Sequence, residues 1–258
     1  MDSYFKWSGS PVLFDLGFIS IRWYGLMFAL AFFLGFKIMN YIYKKESKDL
    51  SEVDSLFSYM FFGTLIGARL GHCFFYHPKY YLSNPFEIIK VWNGGLASHG
   101  GAIGIIIAIL IFSKKYKESF FWVISRLGIC VALAGFFIRL GNFFNSEIVG
   151  NPSNSFSAII FTKLDQIPRH PTMLYESFFY LILFLVLLFV YKRKIIKTDK
   201  SLFGLFLFSL FLFRFLIEFT KQRQTDLTIG WDLSMGQVLS MPFIVLGFFL
   251  LVINRKKV

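Results

Sequence analysis

Charge and cysteine are both scarce in this sequence. Of its 258 residues only 16% are charged, against about 25% in an ordinary soluble domain. Acidic residues are the rarer kind, 15 Asp and Glu against 27 Lys and Arg, a net charge of +12. Two cysteines, Cys73 and Cys130, both in apolar runs, make neither a disulfide framework nor a metal cluster. There is no H-E-x-x-H helix, no C-x-x-C pair and no carboxylate cluster, so no metal is expected; nor is any cofactor. A G-x-S-x-G elbow and a P-loop are missing as well. The opening stretch, MDSYFKWSGSPVLFDLGF, lacks the basic start and apolar run of a cleavable signal peptide. Runs of alternating period are absent, which disfavours an outer-membrane barrel. We find no internal repeat and no second soluble domain.

Apolar residues are abundant instead: 56% are hydrophobic, 21% are aromatic and 36 are Phe. That excess disfavours disorder, a soluble basic nucleic-acid binder and a secreted scaffold. A bilayer core takes about 20 mainly apolar residues per helix. Seven stretches qualify, roughly 19–43, 53–76, 95–113, 120–143, 172–191, 201–220 and 235–254, the second and fourth being the weaker. The expected fold is all-α: a polytopic integral membrane protein with about seven transmembrane helices, one domain over 1–258. The first eighteen residues read as a short arm at the membrane interface, with Trp7 and Phe14 as anchors. Segment 145–171, rich in Asn, Ser and Pro, is the one long polar connection, and long connections are often functional.

Basic residues divide unevenly between the two sets of loops. One set holds Lys44, Lys45, Lys48, Lys114, Lys115, Lys117, the run from Lys192 to Lys200, and Arg255, Lys256 and Lys257. The other holds Lys6, Arg22, Lys79, Lys90, Lys163, Arg169, Lys221 and Arg223. The first set is the richer, and the positive-inside rule makes it cytoplasmic. The N-terminus and the 145–171 segment are then extracytoplasmic and the C-terminus cytoplasmic. Anionic lipid headgroups account for much of the basic surplus. No contiguous basic face or motif points to nucleic acid. Lys37 and Arg126, near span ends, are expected to snorkel to the interface.

An ionisable residue inside a span costs about 2.5–3.5 kcal/mol on insertion scales, so each is a functional candidate. Arg69, Arg139, Arg214 and Glu218 stand out. Arg214 and Glu218 are four apart, hence on one helix face, and Arg139, Asn142 and Asn145 share another. Glu147 follows just beyond. An ion-pair network that locks helices is one reading. Three arginines against a single acidic residue favour the other: an external anion, whose phosphate oxygens match the guanidinium fork. His99 sits in NGGLASHGGAIG, where glycines permit close approach to the backbone and a neutral imidazole could take a proton. His170, in RHPTMLYE, reads as a capping or hydrogen-bonding residue. Tyr24, beside Trp23, fits an aromatic belt. A small transporter or channel and a structural scaffold remain the competing classes.

Several strings together resemble one family, the bacterial prolipoprotein diacylglyceryl transferases. They are ISIRWYGLMFAL, GARLGHCFFY, GGLASHGGAIG, RLGNFFNSEIVG, RHPTMLYE, FRFLIEF and SMGQVLSMP, in order from about residue 19 to 242. The resemblance implies transfer of the diacylglyceryl group of phosphatidylglycerol to a cysteine thiol. That cysteine lies in the lipobox of a preprolipoprotein, after its signal peptide. The product is a thioether, glycerol-1-phosphate leaves, and the step is the first of lipoprotein maturation at the inner membrane. It also implies that Tyr24, His99, Arg139, Asn142, Glu147, Gly150, Arg214 and Glu218 fall on positions the family uses. Among these His99, Arg139, Arg214 and Tyr24 are the catalytic candidates, while Asn145, Arg69 and His170 join the substrate-binding candidates. Arg139 and Arg214 would take the phosphate, with Glu147 and Glu218 orienting them. His99 would be the base, unless an arginine beside the thiol lowers its pKa electrostatically. After FRFLIEF this chain departs from the family pattern: Lys221, Gln222 and Arg223 follow, with Asp226 later.

Overall fold

The computed structural model describes residues 4–17, 20–222 and 233–253; Arg223, Asp226, Arg255, Lys256 and Lys257 lie outside them. Seven long helices dominate: α1 (Trp23–Lys45), α2 (Ser51–Tyr76), α5 (Ser98–Tyr116), α6 (Phe120–Asn145), α7 (Thr172–Lys192), α8 (Asp199–Ile217) and α9 (Met235–Val252). Two short helices, α3 (Pro78–Ser83) and α4 (Phe86–Ile89), connect α2 to α5. Six of the seven long helices are long and apolar enough to cross a membrane. The exception, α2, has the length but carries Glu52, Asp54 and Arg69. The expected weakness of the fourth span is not seen, since α6 is among the six. Large apolar side chains on these helices stay exposed, such as Phe28, Phe32 and Phe33 on α1 and Ile103, Ile107 and Ile111 on α5. A surface of that kind suits hydrocarbon and would aggregate in water. The protein is an all-α polytopic membrane protein.

Local chemistry sets the helix ends. Ser234 and Gln237 form a reciprocal capping box that starts α9, and Thr198 accepts from the Ser201 N–H at 3.2 Å to start α8. Lys44 and Lys45 close α1, and Lys114 and Lys115 close α5, where cations suit the helix dipole. The chain resolves into two compact units, Met1–Ile38 with Ser125–Val258, and Met39–Ile124.

In the Met39–Ile124 unit, α2 and α5 meet along a glycine seam. Gly63, Gly67 and Gly71 recur every fourth residue and so share one face of α2. A Cβ on Gly67 would lie 2.8 Å from Gly104 Cα, and one on Gly71 would lie 2.8 Å from Gly100 Cα. Small residues at this spacing let two membrane helices touch backbone to backbone. Gly67→Ala is therefore expected to destabilise this pair by about 1–3 kcal/mol, the usual cost of overpacking. A thermal unfolding midpoint in detergent equal to wild type would contradict it.

In the other unit the N-terminal arm is not simply an interfacial tether. It holds three strands, β1 (Phe5–Trp7), β2 (Val12–Asp15) and β3 (Ser20–Arg22), and the last two form a hairpin. Segment 145–171 supplies β4 (Ile159–Phe161) and β5 (Pro168–Arg169), and the sheet order is β1-β4-β5 with β1 parallel to β4. Trp7 packs on Phe143 at 4.4 Å, so it is a core contact, whereas Phe14 remains 60% exposed. Arg169 hydrogen-bonds Asp165 and holds its carboxyl below the usual carboxylate range. Arg126 does not snorkel. It is buried, pairs with Asp199 and donates to Ser125 Oγ at 2.9 Å. A counter-charge at the start of α8 takes the place of a long reach to water.

Candidate active site

The C-terminal turns of α6 bring Arg139, Asn142 and Asn145 onto one face, as their spacing requires. The helix ends in a left-handed residue, Ser146 at φ 56°, and the Glu147 N–H returns to the Asn142 carbonyl at 3.0 Å. This reversal folds the Glu147 carboxylate back over its own helix. Asn142 Nδ2 donates to its Oε2 at 3.1 Å and Asn145 Nδ2 to its Oε1 at 3.2 Å. Glu147 thus orients two asparagine amides, not an arginine. Ile148 is also left-handed, at φ 57°, a strained state for a β-branched residue. Thr172, fully buried at the start of α7, donates its hydroxyl to the Ile148 carbonyl at 2.7 Å.

Gly150 comes next and lies where three segments converge. Its N–H donates to the His170 carbonyl at 2.8 Å, and it bridges to Lys221. A Cβ there would lie 2.6 Å from the Thr220 carbonyl oxygen and 2.7 Å from both His170 Cβ and Thr172 Cγ2. His170 Nδ1 is 3.3 Å from the Tyr175 hydroxyl, a hydrogen-bonding role of the expected kind. Tyr24, in the first turn of α1, packs on α6. A Cβ on Gly141 would lie 2.9 Å from its ring, and the neighbouring Trp23 stacks on Phe144 at 4.4 Å.

One charge goes unnoticed in the sequence pattern. Glu176 on α7 is fully buried, its Oε2 3.1 Å from Arg139 Nε and its Oε1 accepting from Lys221 Nζ at 2.9 Å. The signal is there, since Glu176 is an ionisable residue within the fifth span and the last residue of RHPTMLYE. Glu218 also differs from expectation. Helix α8 ends at Ile217 and Glu218 opens a 3₁₀ turn, and its ion pair is with Lys221 rather than Arg214. Its carboxylate approaches Gly236 at the start of α9, 2.7 Å from where a Cβ would stand, and lies 3.6 Å from Lys221 Nζ.

Arg214, in the last turn of α8, makes no ion pair among the described residues. Phe213 stacks face to face on Phe179 of α7 at 3.8 Å, which packs the end of α8 against α7 beside Arg214. The Tyr180 hydroxyl lies within electrostatic reach of Glu176, Arg139 and Arg214 together. Arg139 and Lys221 share Glu176, Lys221 also reaches Glu218, and Asn142 links Arg139 to Glu147. Arg214 is the cation of this cluster without a carboxylate partner among the described residues, and so the one open to an external anion.

In the Met39–Ile124 unit, Arg69 is 4% exposed and its guanidinium is taken up by backbone carbonyls. Nε donates to Ile88 at 2.9 Å, Nη2 to Glu87 at 2.6 Å, and Nη1 to Gly94 and Gly95. It fastens the segment that leads into α5 and leaves little of the fork for a headgroup. His99 stands exposed in the first turn of α5.

A family model described as prolipoprotein diacylglyceryl transferase matches residues 11–253. The chain belongs to the prolipoprotein diacylglyceryl transferase family. Relatives named phosphatidylglycerol–prolipoprotein diacylglyceryl transferase match along nearly their whole length. That of Chloroherpeton thalassium is 48% identical, over 99% of this chain and 96% of its own. The Tolumonas auensis protein is 44% identical over 97% and 98%, and that of Bacteroides fragilis 41% over 98% and 96%. The protein is thus a membrane-embedded transferase of lipoprotein biosynthesis. Of the residues assigned by resemblance to this diacylglyceryl transferase family, the Met1–Ile38 and Ser125–Val258 unit holds Tyr24, Arg139, Asn142, Glu147, Gly150, Arg214 and Glu218.

Proposed function

We propose that this protein transfers the diacylglyceryl group of phosphatidylglycerol to the lipobox cysteine of a preprolipoprotein at the outer face of the bacterial inner membrane. The observation that carries the reading is Arg214, a cation in the last turn of an apolar helix with no ion pair among the described residues. The cysteine sulfur attacks the glyceryl carbon that bears the phosphate. The C–S bond forms, the C–O bond breaks, and the electron pair leaves with glycerol-1-phosphate. Arg214 and Arg139 stabilise the charge that grows on the departing phosphate, in a site where water is scarce. Tyr24 and Asn142 hydrogen-bond the headgroup, and Asn142 is preset by Glu147. Gly150 lets the loop after α6 close on α7 and the end of α8. A free thiol has a pKa of about 8.5 and is mostly protonated at neutral pH. His99 takes that proton. The basic-residue asymmetry supports an N-terminus outside and a C-terminus in the cytoplasm.

The test is purified protein with phosphatidylglycerol vesicles and a lipobox peptide. Thioether-linked peptide and free glycerol phosphate are expected in equal amounts, and their absence would end the reading. His99→Gln is expected to lower turnover about 10²–10⁴-fold, the usual worth of a general base. Undiminished turnover of that variant across the pH range would remove His99 from the mechanism.

A further inference from the structure

We infer that Glu176 is a positioning residue of this reaction, its buried carboxylate aiming the Arg139 guanidinium at the substrate phosphate. The inference rests on the transfer reading above. Glu176 is fully buried, and a lone carboxylate at that depth is costly unless cations flank it. Its two oxygens serve different elements. Oε2 meets Arg139 on α6 at 3.1 Å, and Oε1 meets Lys221, beyond the end of α8, at 2.9 Å. No other carboxylate among the described residues pairs with Arg139.

The side of approach matters. Glu176 faces Nε, one of five N–H donor positions on the guanidinium. The terminal nitrogens carry the other four N–H groups, of which Asn142 and the Tyr180 hydroxyl engage part. Nη1 engages Asn142 Oδ1 only at 3.3 Å. A bidentate clasp of the terminal nitrogens would have consumed the fork that a phosphate needs. Glu176 therefore restrains Arg139 at Nε and leaves part of the fork available. Oε2 lies 3.1 Å from Nε without meeting hydrogen-bond geometry, so the charge and fixed place of the buried carboxylate hold the guanidinium rather than an N–H···O bond. Buried oxygens left this way are uncommon and call for an explanation. A purely structural lock between helices would be expected to satisfy that atom.

Lys221 gives the network its second link. Its ammonium lies 2.9 Å from Glu176 and 3.6 Å from Glu218, so it spans two carboxylates. From the start of α9 the chain of polar partners runs Glu218, Lys221, Glu176, Arg139, Asn142, Glu147. Glu176 is the joint that couples the loop after α8 to the phosphate-facing end of α6. An arginine misplaced by about 1 Å can cost about 10²-fold in rate, so losing this joint is felt at the chemical step.

Three variants test the inference in the vesicle and peptide assay. Glu176→Gln keeps the volume and removes the charge. Its kcat is expected to fall about 10²-fold, with KM for the lipobox peptide and the unfolding midpoint unchanged. Glu176→Asp keeps the charge and withdraws it by one methylene. A reduced kcat at an unchanged midpoint is expected, and this variant decides the matter if Glu176→Gln does not fold. The double variant Glu176→Gln/Lys221→Met restores charge balance without restoring aim, so it should stay as slow as Glu176→Gln. Wild-type kcat in Glu176→Asp, or recovery in the double variant, would overturn the inference and reduce Glu176 to a neutralising charge. A wild-type protein that makes no thioether product would overturn the transfer reading itself, a result read without any Glu176 variant.

Discussion

Arg214→Lys is expected to slow diacylglyceryl transfer about 10²–10³-fold, the typical effect of losing one preorganised donor at a charge-developing oxygen. Lysine keeps the positive charge but presents a point where arginine presents a planar fork. The fold should survive the change for a specific reason. Arg214 pairs with no carboxylate among the described residues, so its loss leaves no buried counter-charge exposed there. Its position is fixed by packing, with Phe213 stacked on Phe179 in the next helix. Arg139 offers a less clean experiment. Its removal leaves Glu176 with Lys221 alone, and breaking a buried pair costs about 3–5 kcal/mol. The measurement is kcat with phosphatidylglycerol vesicles beside an unfolding midpoint. Wild-type kcat for Arg214→Lys would contradict the phosphate role.

Gly150→Ala is expected to be as damaging, through the backbone. The added methyl would stand 2.6 Å from the Thr220 carbonyl oxygen and 2.7 Å from two further carbons. Two of those three neighbours belong to backbone or Cβ and cannot rotate away. The Gly150 bridge to Lys221 and the Asn151 N–H bond to the Thr220 carbonyl at 2.9 Å would have to open. Opening them shifts Lys221 from Glu176 and slackens the loop that seats Glu147. Overpacking costs about 1–3 kcal/mol in stability, and displaced site groups cost about 10²-fold in rate as well. The expected result is a folded protein with a lowered midpoint and transfer slowed about 10²-fold. Retained activity would show that the three segments move independently.

How far the sequence carries differs from element to element. Long apolar helices announce themselves because each needs about 20 apolar residues in a row. All seven appear, and α6, α7 and α9 begin at the expected residues. The shared face of Arg139, Asn142 and Asn145 follows from helical spacing alone. The strands are illegible for a physical reason. They are two to four residues long, too short to show a period, and β1 finds its partner β4 about 150 residues away. Glu147 and Glu218 lie where expected along the chain but orient amides and a lysine instead of arginines. A left-handed reversal at Ser146 redirects Glu147, and Lys221 after the 3₁₀ turn takes up Glu218; neither leaves a periodic signal. Glu176 is visible as an ionisable residue inside a span, but within RHPTMLYE the histidine is the more conspicuous group.

Proximity of arginine to the lipid phosphate can be read directly by ³¹P–¹⁵N dipolar recoupling, with guanidinium-labelled protein in phosphatidylglycerol bilayers. The account predicts phosphorus coupling to the Arg214 and Arg139 side chains, with the Arg214 signal abolished by Arg214→Lys. Phosphorus signals that reach surface lysines and arginines but neither of these two would contradict it.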